Sequence, residues 1–206
     1  MNVIAGIILA GGRSRRMGGG DKCLRRLGGR PLLRHVIDRL APQAGPLAIS
    51  ANGDPSRFAE FSVPVVPDTI PGFAGPLAGV LAGMEWARRE TDATWLVSVA
   101  SDTPFFPTDL VSRLATAADQ ENIVVASSGG RRHPVFALWP VTLAPALRAF
   151  LEDGATYKVS TFVEGHESAV VDFAMIEATG GDPFFNVNTQ EDLAVAEGLI
   201  RAERTS

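Results

Sequence analysis

Short apolar runs recur along residues 1–125, and each is typical of a strand buried on both faces of a parallel sheet. The first run ends directly in glycines. Pro64 places the third run at a sheet edge or at the start of a strand, because proline cannot donate a ladder hydrogen bond. Strands are therefore predicted at Val3–Ala10, Leu47–Ser50, Val63–Val66, Trp95–Ala100 and Ile123–Ala126.

The segments between these runs carry apolar residues at helical spacing. Apolar side chains recur at helical intervals from Leu32 to Leu40, behind Pro31, which suits the first turn of a helix. The same spacing predicts helices at Pro31–Leu40, Leu77–Arg89 and Asp109–Ala118. This alternation of strands, loops and helices predicts a right-handed, doubly wound α/β fold of three layers, α/β/α, with a mostly parallel sheet.

The C-terminal part of the chain has a less regular pattern. Strands are predicted at Val135–Trp139 and Ala169–Phe173, and helices at Leu143–Leu151 and Glu191–Arg201. No linker or internal repeat interrupts the chain, and its 206 residues are an ordinary length for one domain. We therefore expect a single domain over residues 1–206.

Composition and charge exclude several classes of protein. A net charge of −4 argues against binding to nucleic acid through bulk charge. No apolar run approaches the roughly 20 residues of a membrane span, and the Val3–Ala10 run lacks the basic residues of a signal peptide. A lone cysteine, Cys23, permits no internal disulfide, and the three histidines lack metal-binding spacing. We expect a cytoplasmic monomer with neither nucleic acid nor a membrane as a partner.

Candidate ligand-binding residues cluster where the predicted strands end. The loop at residues 11–22 follows the first strand, Asn52 follows the second, Asp68 the third and Asp102 the fourth. In an open α/β sheet, ligands bind in the crevice beyond the carboxyl ends of the strands. These four loops should therefore converge on one binding site.

The loop at residues 11–22, GGRSRRMGGGDK, is the strongest chemical signal. It matches neither a P-loop nor the dinucleotide-binding glycine pattern. Its glycines still let backbone N–H groups approach an anion, and Arg15, Arg16 and Lys22 add positive charge. We interpret it as a phosphate cradle, with a solvated basic loop as the alternative.

Two polar residues at strand ends each allow two interpretations. Asp102 lies between an apolar strand and Pro104, where it could hold Mg²⁺ together with substrate phosphates or simply begin a turn. Asn52 could contact a nucleotide or form an Asn-Gly turn with Gly53.

The C-terminal half adds two further candidates. Asn186 and Asn188 should face the same side of a short strand-like segment, where two amides could hydrogen-bond a polar ligand. An asparagine ladder at a strand end is the alternative. The segment Arg131–Pro134 could bind a phosphate group or form a solvated hairpin loop.

Four segments together resemble the nucleotidyltransferases that move a nucleoside monophosphate onto a phosphorylated acceptor, and most closely the molybdenum cofactor guanylyltransferases. The first is LAGGxSxRMGxxDK at residues 9–22. The others are Gly75–Gly79, Ser101–Phe105, and Asn186–Thr189 followed by Glu191–Leu193. They span nearly the whole chain, and the Asn-x-Asn-Thr segment is the part that indicates the molybdopterin branch.

This resemblance implies a Rossmann-like nucleotidyltransferase fold, with a nucleotide-binding half at residues 1–125 and an acceptor-binding half at residues 126–206. It implies catalytic roles for Arg16, Lys22 and Asp102, with Mg²⁺ held by Asp102. It places Asn186 and Asn188 at the acceptor. The residues it places at GTP are Leu9, Ala10, Gly11, Gly12, Lys22, Asn52, Asp68, Gly75, Pro76 and Asp102.

The implied reaction transfers GMP from GTP to a molybdopterin-type molybdenum cofactor and releases pyrophosphate. A molybdenum-insertion protein or a molybdoenzyme chaperone is a further partner to expect. Two alternatives stay open. One is the same chemistry with CTP or with another phosphorylated acceptor, and the other is a non-catalytic relative that binds a nucleotide or a cofactor.

Overall fold

Strands and helices alternate along the part of the chain that the computed structural model describes, residues 3–11, 21–70, 75–119, 121–176 and 181–203. The strands are β1 (Ile4–Leu9), β2 (Arg26–Leu27), β3 (Arg30–Pro31), β4 (Leu47–Ser50), β5 (Val65–Val66), β6 (Trp95–Ala100), β7 (Ile123–Ser128), β8 (Arg131–Pro140) and β9 (Ser168–Phe173). The helices are α1 (Leu32–Leu40), α2 (Pro76–Glu90), α3 (Leu110–Thr116), α4 (Ala144–Asp153), α5 (Val159–Glu164) and α6 (Gln190–Glu203).

Seven of these strands form one sheet in the order β5-β4-β1-β6-β8-β7-β9, and β2 and β3 pair separately as a hairpin. Strands β5, β4, β1 and β6 are parallel neighbours, and β7 pairs with β9 in parallel. Only β8 runs antiparallel to its neighbours in this sheet. The predicted mostly parallel sheet is confirmed, and the loops that follow β1, β4, β5 and β6 leave the same edge.

Helices cover both faces of the sheet. Ala5 and Ile7 of β1 pack with α2, α4 and α5 in one buried cluster. Ile8 of the same strand packs with α1 and α3 in another, as the two-residue period of a strand requires. A third cluster joins α6 to the β2–β3 hairpin through Leu27 and Ile200. The predicted three-layer α/β/α fold is confirmed.

Two glycines let α2 lie close to the sheet. A Cβ on Gly83 would lie 2.9 Å from the Cβ of Ile7, and a Cβ on Gly79 would lie 2.5 Å from Ser50 Oγ. No side chain fits at either position unless a neighbour moves. This close approach helps place the N-terminus of α2 beside the ends of β1 and β4.

The structure differs from the predictions mainly in short elements. β5 begins only after Pro64, and β8 begins at Arg131 rather than Val135. The β2–β3 hairpin and α5 were not predicted. The strands of the hairpin are two residues each and belong to no continuous apolar run, and the six residues of α5 make fewer than two helical turns. None of the described helices combines the length and apolar character of a membrane span.

Candidate functional site

A cavity of about 370 Å³ opens where β1, β4, β5 and β6 end, which is an ordinary size for a small-molecule site. The four loops that were expected to converge all contribute to it. The predicted site residues that line it are Leu9, Ala10, Gly11, Lys22, Asn52, Asp68, Gly75, Pro76, Asp102 and Asn186. Cys23, Ser50, Gly79, Ala100, Ser101 and Val135 also line it and were not predicted as site residues.

Lys22 joins three segments that are distant in sequence. Its Nζ lies 2.6 Å from Asp102 Oδ2 and also donates to Asn188 Oδ1. The Lys22 and Asp102 side chains are 16% and 23% exposed, so the ion pair is shielded from bulk water but can be reached from the cavity. We call Lys22, Asp102 and Asn188 the Lys22 junction.

The segment that carries the two asparagines is docked on the loop after β6. The Val187 N–H donates to the Asp102 carbonyl at 2.8 Å. The Thr103 hydroxyl donates to Asn186 Oδ1 and lies 3.3 Å from Asp102 Oδ1. The prediction of a strand-like segment at residues 186–188 is wrong, because the structure has no strand at these residues. The two amides nevertheless reach neighbouring groups, Thr103 and Lys22.

A capping box at the start of α6 holds Asn188 in place. The Thr189 hydroxyl accepts from the Asp192 N–H at 3.1 Å. Asp192 Oδ2 accepts in return from the N–H groups of Thr189 and Asn188, both at 2.8 Å. Partial burial acts to raise the pKa of Asp192, but these backbone hydrogen bonds outweigh it and lower the pKa below its ordinary value.

Asn52 and Asp68 join the loops after β4 and β5. Asn52 Nδ2 donates to Asp68 Oδ2 at 2.7 Å, and the Asp68 N–H donates to Asn52 Oδ1 at 2.9 Å. Gly53 has a φ of +89°, and the chain bends there. The Asn52 amide before this bend reaches Asp68 at the cavity wall.

The N-terminus of α2 forms another part of the wall through Gly75 and Pro76. Gly75 has φ +68° and ψ −157°, a backbone conformation essentially restricted to glycine. Pro76 occupies the first turn of the helix, where its missing N–H costs nothing. The positive end of the helix dipole favours an anion at the cavity.

Cys23 lies beside Lys22 but is not suited to act as a nucleophile. Its side chain is 2% exposed. Burial first, and then the charge of Asp21, raise the pKa of its thiol to about 12. The thiol is therefore protonated at neutral pH, when only a thiolate would be reactive.

The Arg131–Pro134 segment begins strand β8, which pairs with β7, so the predicted hairpin loop is wrong at these residues. The turn of this hairpin lies at Gly129 and Gly130. His133 Nε2 lies 2.8 Å from Ser128 Oγ, and that hydroxyl donates to Asp182 Oδ1 at 2.7 Å. Burial lowers the pKa of His133, although the nearby Asp182 carboxylate acts to raise it. Arg131 and Arg132 are exposed.

Three residues of the predicted phosphate cradle, Gly12, Arg15 and Arg16, lie outside the described residues. Within the described ranges, no group of three or more His, Cys, Asp or Glu side chains could hold a metal ion. Two carboxylates line the cavity, Asp102 beside Lys22 and Asp68 beside Asn52. Either carboxylate fits Mg²⁺ bound jointly by one protein carboxylate, substrate phosphates and water, and the prediction assigns Asp102.

A family model, the MobA-like NTP transferase domain, matches residues 6–169. The chain belongs to this family. A Mesorhizobium japonicum protein named molybdenum cofactor guanylyltransferase is 54% identical to it over 201 residues, which cover 97% of each chain. The MobA-like match stops before Asn186, whereas this relative matches nearly the full length.

Two solved structures share the MobA-like fold with this chain. Molybdopterin-guanine dinucleotide biosynthesis protein A from Archaeoglobus fulgidus superimposes with a TM-score of 0.72 at 22% identity, covering 96% of this chain and 99% of that one. A 4-diphosphocytidyl-2C-methyl-D-erythritol synthase from Anaerococcus prevotii gives a TM-score of 0.73 at 13% identity, covering 97% and 96%. At such identities the likeness shows the fold alone.

Proposed function

We propose that this MobA-like chain transfers GMP from GTP to a molybdopterin-type molybdenum cofactor and releases pyrophosphate. The family and the name of the Mesorhizobium japonicum relative support this activity. The observation that carries it is the Lys22 junction, where Asp102 from the nucleotide side meets Asn188 from the acceptor side on one ammonium. We place the reaction in the cytoplasm, where GTP is available.

The chemistry is an in-line substitution at phosphorus. An oxygen of the acceptor's terminal phosphate forms a bond to the α-phosphorus of GTP. The bond from that phosphorus to the oxygen bridging to the β-phosphate breaks, and pyrophosphate leaves with the electron pair. A phosphate monoester has its second pKa near ~6, so the attacking oxygen is already anionic and needs no general base. The protein has to position the two anions and reduce their repulsion.

Several groups in the cavity suit that task. Lys22 supplies a cation at the meeting point of the two predicted halves. The N-terminus of α2 lines the cavity at Gly75 and Pro76, and the positive end of its helix dipole favours a phosphate there. Asn186 and Asn188 are exposed on the acceptor side, where their amides can hydrogen-bond a pterin or its phosphate.

Asp102 is the residue that would hold Mg²⁺, in the joint coordination by carboxylate and phosphate described above. When bound, Mg²⁺ neutralises charge on the triphosphate and the leaving pyrophosphate. Lys22 stays close enough to Asp102 to orient its carboxylate, at 2.6 Å. The Val187 N–H fixes the backbone of Asp102 from the other side.

Cytidylyl transfer is the second candidate, because the Anaerococcus prevotii structure with the same fold carries a diphosphocytidyl name. Pyrophosphate release with each of the four nucleoside triphosphates, with and without molybdopterin, separates the candidates. We expect release only with acceptor present, and a kcat/KM for GTP at least about 100-fold above that for CTP, since a site that hydrogen-bonds one base edge rejects another strongly. Equal use of GTP and CTP contradicts the guanine assignment, and no release with any triphosphate contradicts the transfer itself.

A further inference from the structure

The guanidinium of Arg57 joins two of the loops that line the cavity. Its Nη1 lies 2.9 and 2.8 Å from the two carboxylate oxygens of Asp21. Its Nη2 donates to the carbonyl of Asn52. Asp21 directly precedes Lys22, and Asn52 is paired with Asp68. We call Arg57, Asp21 and Asn52 the Arg57 bridge.

The short helix that carries Arg57 is anchored in the core. Arg57 belongs to a short 3-10 helix, Pro55–Phe61. Phe58 and Phe61 of that helix are buried in the core, and Asp54 caps its start by accepting from the Ser56 N–H at 2.9 Å. This packing fixes the backbone of Arg57, so that its side chain reaches the neighbouring loops from a defined position.

The arginine occupies this position at a cost. Its Nε is buried and, among the residues that the structure describes, has no hydrogen-bond partner. An unpaired buried N–H is unfavourable by about 1–3 kcal/mol. The contacts with Asp21 and Asn52, together with the Phe58 ring 4.9 Å below the guanidinium, offset that loss and account for the position of the side chain.

We propose that Arg57 is a positioning residue for the nucleotide site, because it holds Asp21, and with it Lys22, in a fixed place relative to Asn52. The proposal rests on the proposed function only in taking GTP as the nucleotide. Arg57 itself does not line the cavity, so it acts through the residues that do. One nitrogen of the planar guanidinium holds Asp21 and another holds Asn52. The plane fixes the angle between these two contacts, which the rotating donors of a lysine ammonium on its flexible stem do not.

Substitution of Asp21 gives the sharpest test, because two explanations of its role predict opposite changes in GTP affinity. If Asp21 is merely an acid beside an anionic nucleotide, Asp21→Asn removes repulsion and strengthens GTP binding. If Asp21 positions Lys22 through Arg57, Asp21→Asn weakens GTP binding. We expect Asp21→Asn, Arg57→Gln and Arg57→Lys each to lower kcat/KM for GTP by about 10- to 100-fold, with KM for the acceptor within about twofold of wild type.

Non-additivity provides the second test. Loss of Arg57 removes its contacts with both Asp21 and Asn52, and loss of the Asp21 carboxylate removes one of the same contacts. The double variant Arg57→Gln/Asp21→Asn should therefore be no worse than Arg57→Gln alone. Arg34→Gln is the matched control. Arg34 Nη2 donates to the Glu60 carbonyl of the same 3-10 helix at 3.0 Å, and its guanidinium lies over Phe61. Its partners among the described residues, Glu60, Asp38 and Phe61, do not line the cavity, so GTP kinetics should stay at the wild-type level.

Cys23 supplies a readout that needs no ligand. As the chain's only cysteine, it reports opening of the segment beside Lys22 without ambiguity. We expect Arg57→Gln to raise the rate of Cys23 modification by a disulfide reagent at least about 10-fold at a temperature well below unfolding. Removing a nearby positive charge without loosening the segment would instead slow the reaction, because Arg57 acts to lower the thiol pKa.

These outcomes separate the inference from the proposed function. If the wild-type chain fails to bind GTP, the proposed function is wrong, and the Cys23 rates alone decide whether Arg57 holds the segment. If the wild type binds GTP and the Asp21→Asn and Arg57→Gln variants bind it equally well or better, the positioning role of Arg57 is wrong. Full rescue by Arg57→Lys would show that charge alone matters, and it would overturn the bridge.

Discussion

Replacement of Lys22 by glutamine tests the Lys22 junction directly. The Lys22→Gln side chain would be close to lysine in size and would keep an N–H donor, but the substitution would remove the charge that faces Asp102 at 2.6 Å. A hydrogen bond to a charged group contributes about 1.5–3 kcal/mol. The loss of one such contact to the triphosphate should therefore weaken GTP binding by about 10- to 150-fold.

Stability should fall as well, by an amount that the exposure of the pair limits. Exposed ion pairs contribute about 0–1 kcal/mol, and breaking a buried one costs about 3–5 kcal/mol. The Lys22 and Asp102 side chains are 16% and 23% exposed, so we expect a loss of about 1–3 kcal/mol in the free energy of unfolding. The double variant Lys22→Gln/Asp102→Asn should recover part of that loss, because it leaves no carboxylate unpaired.

Isothermal calorimetry with GTP, without acceptor, measures the binding term, and denaturant unfolding measures stability. The chain contains only one other lysine, Lys158, which is exposed. Lys158→Gln is therefore a matched control that should change neither quantity. A GTP dissociation constant for Lys22→Gln within twofold of wild type would refute the role of Lys22 at the nucleotide.

Three further substitutions test other parts of the site. Asp102→Asn should lower turnover by about 10²–10³-fold with the fold intact by circular dichroism; near-normal turnover at saturating Mg²⁺ would remove Asp102 from the metal role. Gly75→Ala should destabilise the protein by about 1–3 kcal/mol in thermal unfolding, because alanine is strained in this backbone conformation. Gly198→Ala in α6 should be neutral or stabilising, because a Cβ there meets nothing within 4 Å. Equal effects of the two substitutions would contradict the strain argument. Because burial lowers the native pKa of His133, the unfolded chain takes up a proton first as the pH falls through about 6.5. The free energy of unfolding should therefore fall between pH 7.5 and pH 5.5, and it should fall less in His133→Asn. Equal pH dependence of denaturant unfolding in the two proteins would contradict this role of His133.

Much of the sheet could be predicted because its signals are local. The runs at Leu47–Ser50 and Trp95–Ala100 are observed with the predicted bounds, since each is continuous, apolar and bounded by turn residues. Asn52, Asp68 and Asp102 follow such runs directly, so the general rule for open α/β sheets predicted a shared crevice. The cavity that they line is where that rule placed it.

The interactions inside the site could not be predicted in the same way. Lys22 and Asn188 are 166 positions apart, and no periodic pattern relates a residue after β1 to one before α6. The same holds for Asp21 and Arg57, which are 36 positions apart. Strand and helix periodicity describes which face of one element is buried, and says nothing about which side chains of two loops meet.

The sequence before α6 contains a local signal for the start of a helix. Thr189 and Asp192 have the spacing of a capping box, and a capping box predicts both the start of the helix and the pairing of the N–H groups just before it. Applied here, that rule places Asn188 at a helix N-terminus rather than in a strand. It explains why Asn188 points in a defined direction, since its N–H is held by Asp192 while its side chain is free to reach Lys22. The asparagine therefore joins the junction because a helix cap sets its backbone and the ammonium of Lys22 takes up its amide oxygen, so a substitution at Asp192 should act on the site through Asn188.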